Sequence, residues 1–143
     1  MTFTLNTDQV LQAAEAMQRQ CHGLAKASGW WTDMLSGRSL VGEYAYMKTP
    51  GLIPPRNIAE LLCLVHSEIS EAMEGVRKGL MDDKLPNRPM LEVELADAVI
   101  RIFDMAGGLG LDLPGAMADK LAFNATRADH QLANRAAAGG KKF

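Results

Sequence analysis

"PPRNIAELLCLVHSEISEAMEGVRKG", residues 54–79, decides how this chain folds. Asn57 stands at a helix-cap position with Glu60 three residues on, the capping-box pattern that satisfies free N–H groups at a helix start. Ile58, Leu61, Leu62, Val65, Ile69, Ala72, Met73 and Val76 then recur at helical spacing and form one apolar arc. The helix is expected to end at Lys78 or Gly79, where glycine permits a left-handed stop. Glu68 and Glu71 break the pattern. On a helical wheel Glu68 lies on the flank of the arc beside Leu61 and Leu64, and Glu71 lies slightly further round. No lysine or arginine stands three or four residues from either, so the cation that a carboxylate beside a core requires must come from elsewhere in the fold or be a metal ion.

Three more helices flank this one. The first spans about Asp8 to Ala27, capped by Asn6 or Thr7 and ended by "SGWW" at 28–31. The third spans about Met90 to Met105 and is expected to stop at Gly107 and Gly108. The fourth opens with Asp112 as cap and Pro114 in its first turn, and is expected to reach Asn134. Residues 28–56 are rich in Gly, Ser, Pro and aromatics, Trp30, Trp31, Tyr44 and Tyr46 among them, and read as loops with at most a short helix. This stretch is either a flap whose aromatics close the helices or a ligand-binding loop, or both. No segment alternates in the manner of a strand. The expected fold is all-α, an antiparallel bundle of about four main helices. Residues 1–134 form one domain, with an N-terminal helix and aromatic loop over 1–56 and the binding helices over 57–134. Residues 135–143 form a flexible tail.

The composition excludes several classes. In 143 residues a net charge of −2 gives no basic surface for stable nucleic-acid binding, though a nucleotide substrate stays open. No apolar run is long enough to cross a membrane, and no signal peptide begins the chain. Cys21 and Cys63 lie in apolar helical stretches without metal-type spacing, read as buried free thiols in a cytoplasmic protein.

Glu94 and Asp97 repeat the three-residue spacing of Glu68 and Glu71 on the third helix. Taken alone, that helix reads as amphipathic, with Glu94, Asp97, Arg101 and Asp104 on the solvent side and Asp97 paired to Arg101 at i,i+4. Taken together, four carboxylates on two helices, without histidine or cysteine at ligand spacing, suit a hard cation such as Mg²⁺, or Mn²⁺. On the fourth helix Lys120, Asn124 and Arg127 form one stripe, which reads either as a phosphate-binding edge or as a solvated face with Arg127 paired to Asp129 or Asp119.

The ordered set Glu68-Ile69-Ser70-Glu71, Glu94-Leu95-Ala96-Asp97 and Lys120-x₃-Asn124-x₂-Arg127, with the lead-in "PRNIAELL", resembles the MazG-like all-α nucleoside triphosphate pyrophosphohydrolases over about Asn57 to His130. The resemblance implies a helical domain that assembles as a homodimer or homotetramer. It also implies hydrolysis of a nucleoside triphosphate, a deoxyribonucleotide or a non-standard one, to monophosphate and pyrophosphate. In that reading Glu68, Glu71, Glu94 and Asp97 carry Mg²⁺, and Lys120, Asn124 and Arg127 hold phosphates. Glu71 is the choice for general base. The charge of four carboxylates plus a triphosphate calls for more than one ion with substrate bound. Trp30 and Trp31 are the first candidates to stack a base, with His22 and Tyr44 behind them. Two competing readings remain: a non-catalytic helical module that binds nucleotides or a partner protein, and a pyrophosphohydrolase acting on another nucleotide, such as a phosphoribosyl nucleotide.

Overall fold

The computed structural model describes residues 4–42 and 56–140. Their regular elements are helical: α1 (Thr7–Ala27), α2 (Ile58–Lys78), α3 (Met90–Leu109), α4 (Leu113–Thr126), a 3₁₀ turn (Ala128–His130) and α5 (Leu132–Ala136). Extended pairing among the described residues is confined to two isolated bridges, Thr32 with Ser39 and Met81 with Pro89. No described helix is long and apolar enough to cross a membrane. The chain divides into two compact units, Met17–Leu111 and Met1–Ala16 with Asp112–Phe143.

Local signals set the helix ends. Asn57 Oδ1 accepts from the N–H groups of Ala59 (3.1 Å) and Glu60 (3.4 Å), which is the cap read from the sequence. Gly79 closes α2 at φ 64°, with Leu80 N–H returning to Gly75 O. Between α2 and α3 the chain is organised by Asp82. This buried carboxylate accepts from the N–H groups of Lys84 (3.0 Å) and Leu85 (2.6 Å).

Two helix ends differ from expectation. α3 continues through Gly107 and Gly108 to Leu109 and stops at Gly110, φ 69°. The two glycines serve close approach instead of termination. A Cβ on Gly108 would stand 2.1 Å from the Trp31 ring, and one on Gly107 would stand 2.6 Å from His22 Cβ. α4 ends at Thr126, well short of Asn134. Arg127 is extended there, and side chains take over the carbonyls. Gln131 Nε2 donates to Ala125 O (2.8 Å) and Asn134 Nδ2 to Ala128 O (2.7 Å). Such side-chain-to-backbone bonds compete with helix continuation.

In the 17–111 unit α2 packs on α3. The face α2 buries is Leu61, Glu68, Ala72 and Gly75, and α3 buries Glu94, Ala98, Phe103, Ala106, Gly108 and Leu109. Half of the expected apolar arc of α2 is not covered: Leu62, Ile69, Met73 and Val76 are exposed, as are Leu95, Val99 and Ile100 on α3. Small residues explain the choice of face. Gly75 lies so near Met90 that an added Cβ would touch its Cβ at 3.0 Å. Alanine and glycine let the two backbones approach, and the acids between them are carried inward. The third helix's acidic side is therefore not its solvent side. Cys21 is buried as expected, and burial pushes its thiol pKa up. Cys63, expected buried, is exposed because it stands off the Leu61–Glu68–Ala72 stripe.

Of the loop 28–56, Trp31 is 1 % exposed and closes this unit's core. Its indole N–H donates to Asp104 Oδ1 at 2.7 Å, and His22 meets its ring edge-on at 5.5 Å. Tyr44 and Tyr46 lie outside the described residues. The Trp31–Gly108 contact predicts the sign of a substitution. Glycine to alanine within a helix ordinarily stabilises by about 0.5–1 kcal/mol. Gly108→Ala is expected instead to destabilise by roughly 1–3 kcal/mol through overpacking, read by denaturant unfolding together with loss of the near-UV tryptophan signal.

Candidate metal centre

Glu68 comes from the middle of α2, and Glu94 and Asp97 from the first turns of α3. One carboxylate oxygen of each lies within 4.8 Å of the other two. Glu68 and Glu94 are 6 % and 7 % exposed. Oxygens on opposite sides of an octahedral Mg²⁺ stand about 4.2 Å apart, from ligand distances of 2.0–2.1 Å. The triad is thus near the span that one small cation closes. Its donors are all hard oxygens, the ligand type such an ion selects.

The electrostatics carry the mark of excess negative charge. Burial is the largest cause that raises Glu94 to about 7, followed by its hydrogen bond with Glu68 and the charges of Glu71, Glu68 and Asp97. Asp97 is raised by burial, then by Glu68 and Asp82, against a lowering by Arg101. Glu71 is exposed one turn beyond Glu68 and stands outside the close triad, although its charge reaches Glu94.

The partner of Glu68 is Arg101. Its Nε lies 2.7 Å from Glu68 Oε1, in place of the Asp97–Arg101 pair expected within α3. No spacing pattern announces this bridge, because the two residues are on different helices. Other acids are engaged locally: Glu74 with Arg77 and Lys78, and Glu92 with Arg88 at 3.2 Å.

Beside the triad, a cleft of about 380 Å³ is lined by Trp30, Arg56, Glu60, Asp97, Arg101 and Asp104, with Leu61, Leu64, Ala25 and Ile100 as apolar wall. Such a volume falls within the usual range for small-molecule sites. The two tryptophans part here. Trp30 is 70 % exposed and faces the cleft, and its carbonyl is held by Arg56 Nη1 at 2.7 Å. Trp31, expected beside it as a stacking surface, gives its ring to His22 and to the Arg56 guanidinium at 5.2 Å. His22, expected as a weaker base contact, bonds Asp104 Oδ1 at 3.0 Å. Asp104, Asp82, Arg56 and Glu60 were not singled out for the site. Only Asp104 had a signal, since it shares the wheel position of Glu94, Asp97 and Arg101.

Lys120, Asn124 and Arg127 belong to the other compact unit. Lys120 Nζ and the Arg127 guanidinium lie 5.1 and 5.9 Å from the Phe123 ring centre. Arg127 forks onto Asp129, Nε to Oδ1 at 2.9 Å and Nη2 to Oδ2 at 2.6 Å, the pairing the sequence left open. Asn124 Oδ1 is buried with no hydrogen-bond partner among the described residues.

The raised Glu94 makes stability depend on pH. A carboxyl whose folded pKa exceeds its unfolded value binds a proton more tightly in the folded state, so stability falls as pH rises between the two values. For Glu94 the window runs from the ordinary 4.5 to about 7. Metal-free protein is expected to melt at progressively lower temperature across that window. Glu94→Gln should flatten the slope and raise the melting temperature at its upper end, as read by a thermal series against pH in chelator.

No family model, curated protein or solved structure matches this chain.

Proposed function

We propose that this protein is a Mg²⁺-dependent nucleoside triphosphate pyrophosphohydrolase of the MazG-like kind. The single observation that carries the reading is the triad of Glu68, Glu94 and Asp97, the two glutamates buried and the aspartate half-buried at a helix–helix contact beside a cleft. Burying two glutamates against each other is costly without a cation. Arg101 meets Glu68 alone, and burial with the neighbouring acids keeps Glu94 raised. The ordered motifs and the all-helical architecture add to this support.

In this reading Glu68, Glu94 and Asp97 would hold one ion, and Glu71, one turn away and exposed, would complete the ligand set for more than one. When bound, Mg²⁺ supplies a water of lowered pKa and spreads the charge of the phosphate chain. Glu71 accepts the proton of the attacking water, which its exposure leaves it free to exchange with solvent. Trp30 offers its ring to the base, and the apolar wall of Leu61, Leu64 and Ile100 excludes water from that side. Lys120, Asn124 and Arg127, on the other compact unit, are the phosphate binders that the resemblance implies, Arg127 after exchanging Asp129 for phosphate. The expected substrate is a deoxyribonucleotide or a non-standard nucleotide, met in the cytoplasm.

The protein is further proposed to act as a homodimer or homotetramer. Leu62, Ile69, Met73, Val76, Leu95 and Val99 are all more than two-fifths exposed on α2 and α3, a face of the kind that a second copy covers. Light scattering coupled to size exclusion is expected to give a multiple of the chain mass, and Met73→Glu to reduce it. A monomeric wild type would contradict this.

A second reading follows from the Arg101–Glu68 bridge, which gives Glu68 a partner without any metal. It is a non-catalytic nucleotide- or protein-binding module. A panel of ribo- and deoxyribonucleoside triphosphates and phosphoribosyl nucleotides with Mg²⁺ separates the two. The enzyme is expected to release pyrophosphate and to lose at least ~10²-fold in kcat in Asp97→Asn. Trp30→Ala is expected to raise KM by about tenfold, near the value of one stacked base, with kcat little changed. Single-phosphate release, or none with any nucleotide, would contradict the proposal.

A further inference from the structure

Arg101 has no part in the chemistry above, yet it touches the centre of the site. Its Nε sits 2.7 Å from Glu68 Oε1, on a side chain of Glu68 that is 8 % exposed. The Arg101 side chain as a whole is 44 % exposed and borders the cleft, together with Asp97, Arg56 and Trp30. One residue therefore reaches both the carboxylate triad and the space beside it.

A divalent ion seated between Glu68, Glu94 and Asp97 needs an oxygen of Glu68, and a guanidinium on that same carboxylate repels it at contact distance. The two cations compete for one ligand. We propose that Arg101 is an exchangeable counter-ion: the entering metal displaces it from Glu68, and the freed guanidinium turns into the cleft to take a phosphate oxygen of the nucleotide. This rests on the reading of the site as metal-dependent and nucleotide-binding.

Arginine suits both stations. Its charge is permanent, so it neutralises Glu68 at any physiological pH, and its planar fork matches phosphate as it matches carboxylate. Its stem lets the head move several ångströms without the backbone. Asp97, one turn before it on α3, belongs to the triad and also lines the cleft, so the path from one station to the other is short. The exchange couples the two ligands. Metal liberates the arginine that phosphate needs, and phosphate keeps that arginine off the carboxylate that metal needs. By linkage each ligand tightens the other by the same factor.

The test is Mn²⁺ binding to the nucleotide-free full chain, followed by electron paramagnetic resonance, in wild type and Arg101→Gln. The variant is expected to bind Mn²⁺ about tenfold more tightly, within the ordinary span of coupling factors. With Mn²⁺ saturating, it is expected to bind a triphosphate blocked at its α–β bridge about tenfold more weakly. A residue that only props up the fold would weaken both. Because Arg101→Gln strips Glu68 of its cation, the wild type supplies a second readout. The Arg101 Nε–H resonance, identified by its loss in Arg101→Lys, should move and lose its protection from solvent exchange when Mg²⁺ is added. Unchanged or weaker Mn²⁺ binding in Arg101→Gln, or an unmoved resonance at saturating Mg²⁺, overturns the exchange while wild-type Mn²⁺ binding and hydrolysis leave the enzyme reading intact. Absence of Mn²⁺ binding in both proteins overturns the two together.

Discussion

Two glutamates, Glu68 and Glu94, face each other across the α2–α3 contact with less than a tenth of either exposed to solvent. Like charges so placed repel, and water is too scarce there to screen them. The chain meets the problem in part with Arg101 on Glu68 and in part by holding a proton on Glu94 up to about 7. Ala72 and Ala98, one turn past Glu68 and Glu94, are buried, and Gly75 brings α2 close against Met90. An apolar pair of the same size would hold the helices together more cheaply. What that pair could not do is bind a cation, which is the role we propose for the buried acids.

Around this centre the rest of the 17–111 unit works as support. Asp104 sits two turns past Asp97 and gathers the Trp31 indole and the His22 ring. Trp31 lies over Gly108, whose missing side chain makes room for it. That anchoring fixes the loop that carries Trp30, and Arg56 ties the Trp30 carbonyl from the far side. One wall of the cleft is therefore held by the same helix that carries two of the triad's three acids.

Much of this was legible in the residues. Asn57 and Gly79 bound α2 as their chemistry dictates, and the spacing of Glu68, Glu94 and Asp97 brought them forward as ligands before any geometry. What could not be read was which side of each helix turns inward. Periodicity weighs residues by hydrophobicity, so it favoured Leu62, Ile69, Met73 and Val76, all of which are exposed. The contact instead uses alanine and glycine, which count little in such a pattern but set how near two backbones come. The same blindness made Gly107 and Gly108 look like a stop. The Arg101–Glu68 bridge joins residues 33 apart in sequence, and nothing local announces it. Trp30 and Trp31 are neighbours of identical type, and only packing separates the core residue from the exposed one.

The measurement that bears most directly on the account is anomalous diffraction from crystals grown with Mn²⁺. The account predicts a strong peak coordinated by one oxygen each of Glu68, Glu94 and Asp97, with the Arg101 guanidinium moved off Glu68. Crystals that show no peak there, with Arg101 still seated on Glu68 at saturating Mn²⁺, would contradict it and leave the acids as a structural charge cluster.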